Sequence, residues 1–140
     1  AGSRALRELL INRCRSFIFT TALPPAIMAM ALAAIDLVER EPERREALWG
    51  NCRQLADGLR KIGFSLGENQ SPILPLIIGD AKNCMRLSEQ LLERGVFAQG
   101  FRSPSVPEGT CRLRITLMAT HTREHIEKAL EAFEDLKKQA

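Results

Sequence analysis

VFAQGFRSPSVPEGTCRLRITL, residues Val96–Leu117, decides the fold of this 140-residue chain. Val96–Phe101 and Cys111–Leu117 carry β-branched and aromatic residues, which predicts two strands. Between them Pro104 and Pro107 stiffen the connection and Gly109 lets it turn. The unit sets Arg102 and Arg114 at opposite ends. Arg114 alternates with Leu113 and Ile115 in a run that otherwise reads as a buried strand. A guanidinium on the polar face of such a strand finds an anion or suffers desolvation, which points to carboxylate binding in a cleft. Arg102 and Arg114 also each read as a solvated charge or half of an ion pair. For Arg112, at the start of the strand, that plainer reading is the better one.

Upstream, Phe64–Leu66 predicts a short strand and Ile73–Ile78 a stronger one. Gly79-Asp80 turns into a helix carrying Cys84, Met85, Leu87, Leu91 and Leu92, ended by Gly95. Downstream, Thr122 is placed as N-cap and Glu124 lies in the first turn of a last helix. That helix buries Ile126, Ala129, Leu130, Phe133 and Leu136. The order β-β-α-β-β-α defines an α+β layer, two helices on one face of a small, mostly antiparallel sheet.

The first part of the chain reads differently. Ser3 caps a helix running to about Cys14, and Arg15–Thr21 is β-rich. Pro24-Pro25 starts a long helix covered in apolar residues from Ile27 to Val38, so it is expected to be largely buried. The Glu39–Arg45 run, broken by Pro42, is solvated, and a second helix through Leu48, Cys52, Leu55 and Leu59 ends near Gly63. Residues 1–60 are therefore expected to be helices without a sheet of their own, and 61–140 a compact module. The long helix carries more apolar face than the chain covers, which suits a missing part or a partner subunit.

Composition narrows the function. Hydrophobic residues are 45% and charged residues 26%, as in a folded globular domain. A formal charge of +3, spread along the chain, argues against nucleic acid. The four cysteines form no C-x-x-C pair, which suits reduced thiols in a cytoplasmic protein. The apolar stretch Ala22–Ala34 is short of a membrane span and is interrupted by Pro24 and Pro25, so no membrane partner is expected.

Two further patterns carry chemistry. His121-Thr122-Arg123-Glu124-His125 matches H-x-x-E-H, but a cap at Thr122 leaves His121 outside the helix, so no metal site is expected. Thr20 and Thr21 stand where the chain enters a helix. Their hydroxyls suit a phosphate there, or a plain N-cap.

Three ordered segments carry a family resemblance: Asn12–Pro25, Ser71–Asp80 and Phe101–Thr116. Together they resemble the α-oxoamine synthases, acyltransferases of PLP fold type I. Ala22-Leu23-Pro24-Pro25, the Gly79-Asp80 turn and the Leu113–His121 ending are most similar to members that condense L-alanine with a pimeloyl thioester in biotin synthesis. That resemblance implies the cofactor pyridoxal 5'-phosphate (PLP) and, as partners, L-alanine, pimeloyl-CoA or pimeloyl-acyl carrier protein, and a second subunit in a homodimer. It implies that Arg114 grips the α-carboxylate and Arg102 supports it. It also implies that Thr21, with Thr20, reaches the PLP phosphate of the neighbouring subunit. Lys61, Lys82, Lys128, Lys137 and Lys138 match no Schiff-base motif. The resemblance therefore implies the C-terminal part of such an enzyme, the end of its large domain and its small domain, inactive alone. The alternatives are another α-oxoamine synthase, of the 2-amino-3-ketobutyrate ligase, 5-aminolevulinate synthase or serine palmitoyltransferase kind, and a stand-alone α+β module that binds a small molecule.

Overall fold

The computed structural model describes residues 2–67 and 71–138. They form two compact units, residues 1–40 and 41–140. The described residues of the first unit form three helices joined by short connections. Ser3 Oγ accepts a hydrogen bond from the N–H of Leu6 and opens α1, Arg4–Arg13. A second helix, α2, spans Arg15–Ile18. The expectation of β structure over Arg15–Thr21 is corrected here. The N–H groups of Phe17 and Ile18 both return to the carbonyl of Cys14, so the backbone is satisfied within one helical turn. β-propensity reflects packing against a neighbouring strand, and no described residue of this unit supplies one. Helix α3, Pro25–Arg40, begins as expected, with the Pro24 carbonyl accepting from Ile27 and Met28.

None of the described residues of α1, α2 or α3 is buried. Leu10, Phe17, Ile27, Met30, Leu32 and Ile35 all stand exposed. The expectation of a largely buried long helix is corrected: among the described residues nothing covers the apolar stripe of α3, so all of it, and not only part, stands exposed.

The second unit begins earlier than expected. Helix α4 spans Pro42–Ile62, with Pro42 in its first turn and Glu43 beside it. Proline lacks only an N–H that a first turn leaves unbonded, so Pro42 starts this helix where the sequence reading took it as a break. Gly63, at φ 91°, closes the helix in the left-handed conformation that glycine tolerates. The sheet has three antiparallel strands in the order β1–β3–β2. They are β1 (Ile73–Gly79), β2 (Gln99–Phe101) and β3 (Cys111–Thr116). Phe64–Leu66 does not become a strand; Leu66 makes one isolated bridge to Leu76. Pro75 sits inside β1 without cost to the ladder, because its carbonyl points outward and accepts from Gly67.

Helix α5, Ala81–Glu93, follows β1 through Asp80, whose carboxylate accepts from the Asn83 N–H at 2.7 Å. Helix α6 spans Arg123–Lys138. Thr122 Oγ1 accepts from the His125 N–H, and His125 Nδ1 accepts from the Thr122 N–H, a reciprocal cap. One face of the sheet supplies Leu74, Leu76, Cys111, Leu113 and Ile115 to the core. Against it lie Cys52, Leu55 and Leu59 of α4, Cys84 and Leu91 of α5, and Ile126 and Phe133 of α6. The α+β architecture stands, with three helices where the sequence suggested two. Helix α4, placed before a boundary at residue 60, packs with the later unit. Gly58 explains how α4 approaches α6: a Cβ there would meet Leu130 Cδ2 at 2.4 Å.

This division predicts fragment behaviour. Residues 41–140 are expected to melt cooperatively by circular dichroism. Residues 61–140, stripped of Cys52, Leu55, Ala56 and Leu59, are expected to show no cooperative melt. A cooperative transition in the 61–140 fragment would contradict this packing. No helix among the described residues is long and apolar enough to cross a membrane.

Candidate functional site

The site forms on the uncovered face of the sheet. Arg114 sits in β3 between Pro75 of β1 and Gln99 of β2. Alternation sends Cys111, Leu113 and Ile115 to the core and leaves Arg112, Arg114 and Thr116 on the other face. Behind β2, α5 lies so close that a Cβ on Gly100 would meet Met85 Sδ at 3.0 Å. Ser88 Oγ also donates to the Ala98 carbonyl at 2.6 Å. Ala98 is buried, and Phe97, Gln99 and Phe101 line a cavity on the opposite face.

That cavity measures about 260 Å³ and is lined by Phe97, Gln99, Phe101, Arg114 and Thr116. Among the described residues the Arg114 guanidinium has no hydrogen-bond or ion-pair partner. The desolvation inferred from its apolar neighbours is corrected: Arg114 is exposed, with none of the described elements of this unit over its face. What remains is an unpaired fork of donors beside two aromatic rings. The end of β3 is fixed by Asn51 of α4, whose amide donates to the carbonyls of Met118 and His121.

Arg102 is exposed just after β2, and its carbonyl accepts from Ser105. It is not among the residues lining the Arg114 cavity. Arg112 is half-buried and donates from Nε to the Thr110 carbonyl at 3.0 Å, a backbone contact in place of the solvated charge or ion pair expected. Phe97, Gln99 and Thr116 escaped the sequence reading as site residues. The period of two from Arg114 marks Thr116, but Gln99 needs the β2–β3 register.

Thr20 and Thr21 lie in the first unit, in the non-helical connection between α2 and α3. Neither is the cap of that helix, and neither hydroxyl has a hydrogen-bond partner among the described residues. The H-x-x-E-H segment is a turn and a helix cap. His121 Nδ1 accepts from the Met118 N–H and His125 Nδ1 from the Thr122 N–H. Among the described residues no group of three or more His, Cys, Asp or Glu is placed to hold a metal ion.

The thiols differ in character. The Ser16 hydroxyl hydrogen-bonded to Cys14 lowers its pKa, whereas burial raises those of Cys52 and Cys84. A lowered pKa leaves more thiolate at a given pH, so in this 140-residue chain iodoacetamide is expected to label Cys14 first. The labelling should also extend to lower pH than for a free cysteine. Peptide mass spectrometry checks the order, and earlier labelling of Cys52 or Cys84 would contradict it.

With this geometry in hand, the comparisons define the class. Residues 1–133 match the model of aminotransferase class I and II. The chain belongs to that family. It is 47% identical over 95% of its length to 8-amino-7-oxononanoate synthase of Symbiobacterium thermophilum, spanning 34% of that protein. It is 45% identical over 99% of its length to a Thermus thermophilus protein, spanning 35% of it. That protein is named 8-amino-7-oxononanoate synthase/2-amino-3-ketobutyrate coenzyme A ligase. Among solved structures, Sphingomonas wittichii serine palmitoyltransferase matches at a TM-score of 0.89 and 34% identity. That match covers 99% of this chain and 35% of the enzyme. Another structure of serine palmitoyltransferase, solved with PLP, matches at a TM-score of 0.90 and 32% identity, over 99% of this chain and 35% of that one. The chain thus spans about a third of the length of the curated relatives it matches.

PLP is the cofactor of the longer enzymes this chain resembles. A PLP site for amino acids needs donors for the phosphate, a cation for the carboxylate and a lysine. Among the described residues of the second unit, Arg114 offers an unpaired cation of the kind a carboxylate needs. None of the lysines lines the Arg114 cavity.

Proposed function

We propose that this chain is the C-terminal third of an α-oxoamine synthase. The reaction condenses L-alanine with a pimeloyl thioester, and carbon dioxide and the free thiol leave as 8-amino-7-oxononanoate forms. The observation that carries this reading is the unpaired Arg114 guanidinium on the open sheet face, in a chain whose relatives bear that enzyme's name. Arg114 holds the α-carboxylate of the amino acid with a bidentate fork, which orients the bond to the α-carbon. Arg102 adds positive charge on the loop beside it. Thr21 and Thr20 donate their hydroxyls to the PLP phosphate of a neighbouring subunit. The chemistry PLP supplies when bound is an electron sink for the charge left at the α-carbon. The assembly is a cytoplasmic homodimer, and the 140 residues alone give no turnover.

The double name of the Thermus relative favours one second reading, glycine with acetyl-CoA. The full-length protein, supplied with PLP, is to be offered L-alanine, glycine or L-serine against pimeloyl-CoA, pimeloyl-acyl carrier protein or acetyl-CoA. Thiol release is the readout. L-alanine with a pimeloyl thioester is expected to be the fastest pair. Faster turnover of glycine with acetyl-CoA would give the second reading, and no thiol release from any pair would overturn both.

A further inference from the structure

Asn51 stands near the middle of α4, where asparagine is a poorer helix former than leucine or alanine. Its half-buried side chain accounts for the choice. The amide donates from Nδ2 to the Met118 carbonyl at 3.1 Å and to the His121 carbonyl at 2.9 Å, so both of its hydrogens are used. The turn it holds is closed without it. The His121 N–H returns to the Met118 carbonyl at 3.2 Å, and His121 Nδ1 accepts from the Met118 N–H at 3.3 Å. Asn51 therefore does not form the turn. It fixes where the turn sits against α4.

That position matters at one place in the sheet. Arg114 pairs with Gln99, the first residue of β2, and so is the last rung on that side of β3. Beyond it, the described residues ladder β3 to β1 alone, through Ile115 with Leu74 and Thr116 with Ile73. The Leu117 N–H then reaches the Pro72 carbonyl at 3.0 Å, and the next tie is Asn51. Arg114 and Thr116, which line the cavity, are thus carried on a strand end held from one side. A bidentate pairing tolerates little misplacement, because both N–H···O bonds need near-linear geometry.

We propose that Asn51 is a positioning residue: its two hydrogen bonds to the β3–α6 turn hold the end of β3 so that the Arg114 fork meets the carboxylate squarely. This rests on the carboxylate reading of Arg114 and extends the site to a helix packed on the opposite face of the sheet. Asn51 touches no substrate, and its effect passes through β3.

Asn51→Leu separates position from stability. Leucine fills a similar volume, lies one turn from Leu48 and Leu55, and is the better helix former, so the thermal melt is expected to hold. In the full-length enzyme with PLP, Asn51→Leu is expected to raise the KM for L-alanine about three- to tenfold, with the KM for pimeloyl-CoA unchanged. In an Arg114→Lys background, which has no fork to aim, the same change is expected to move that KM by less than about twofold. In the 140-residue chain, amide exchange of Leu117 and His121 is expected to quicken in Asn51→Leu while that of Leu113, laddered on both sides, holds. An unchanged KM for L-alanine, or equal rises in both KM values, makes Asn51 a structural staple and overturns the proposal while the carboxylate site stands. An undiminished effect in the Arg114→Lys background, or unchanged exchange at Leu117, also overturns it. If Arg114→Lys by itself leaves the KM for L-alanine unchanged, the carboxylate reading falls and the proposal with it.

Discussion

Phe133→Ala is expected to lower the unfolding free energy of residues 41–140 by about 3–5 kcal/mol, measured by urea denaturation. Phe133 has no exposed surface and belongs to the cluster joining α4, α5, α6 and the sheet. Its ring meets Phe64 edge-on, with centroids 5.5 Å apart and planes at 76°. The Lys137 ammonium lies over the other partner of that pair, 5.1 Å from the Phe64 centroid. Removing the ring leaves a cavity and takes the edge-on contact with it. A loss below about 1 kcal/mol would mean that α6 is not part of this core.

The second large effect concerns the site. Arg114→Ala in the full-length enzyme is expected to lower kcat/KM for the amino acid by about ten- to more than a hundredfold, a loss of about 1.5–3 kcal/mol of charged hydrogen bonding. The fold should not suffer. The side chain is exposed, makes no hydrogen bond among the described residues, and leaves the β3 ladder through backbone groups alone. Arg114 therefore contributes nothing to stability that its removal would expose, and a fall in activity with an unchanged melt separates binding from folding. Arg102→Ala is a useful contrast. Its guanidinium lies outside the lining of the cavity, so a smaller loss is expected.

How much of this was legible depends on which forces set each element. Helices α5 and α6 and strands β1 and β3 were readable because local signals agree with the fold. Asp80 and Thr122 cap, Gly63 and Gly95 stop, and Cys111, Leu113 and Ile115 alternate. Arg15–Ile18 was misread because Phe17 and Ile18 have strand propensity, and propensity yields where a helical turn satisfies the backbone first. The start of α4 was misread because a charged run with a proline looks like a loop, although Pro42 in a first turn begins a helix. That α4 belongs with the sheet was invisible, since its contacts with β1 and α6 are distant in sequence. For Arg114 the alternation gave the face but not its cover. Gln99 entered only with the β2–β3 register, which no local pattern specifies.

The most direct measurement is the kinetic split of Arg114→Lys in the full-length enzyme with L-alanine and pimeloyl-CoA. Lysine keeps the charge and loses the bidentate fork. The expected result is a KM for L-alanine raised about tenfold or more, with the KM for the thioester unchanged and the melt unaltered. An unchanged KM for L-alanine, or a rise confined to the thioester, would contradict Arg114 as the carboxylate clamp.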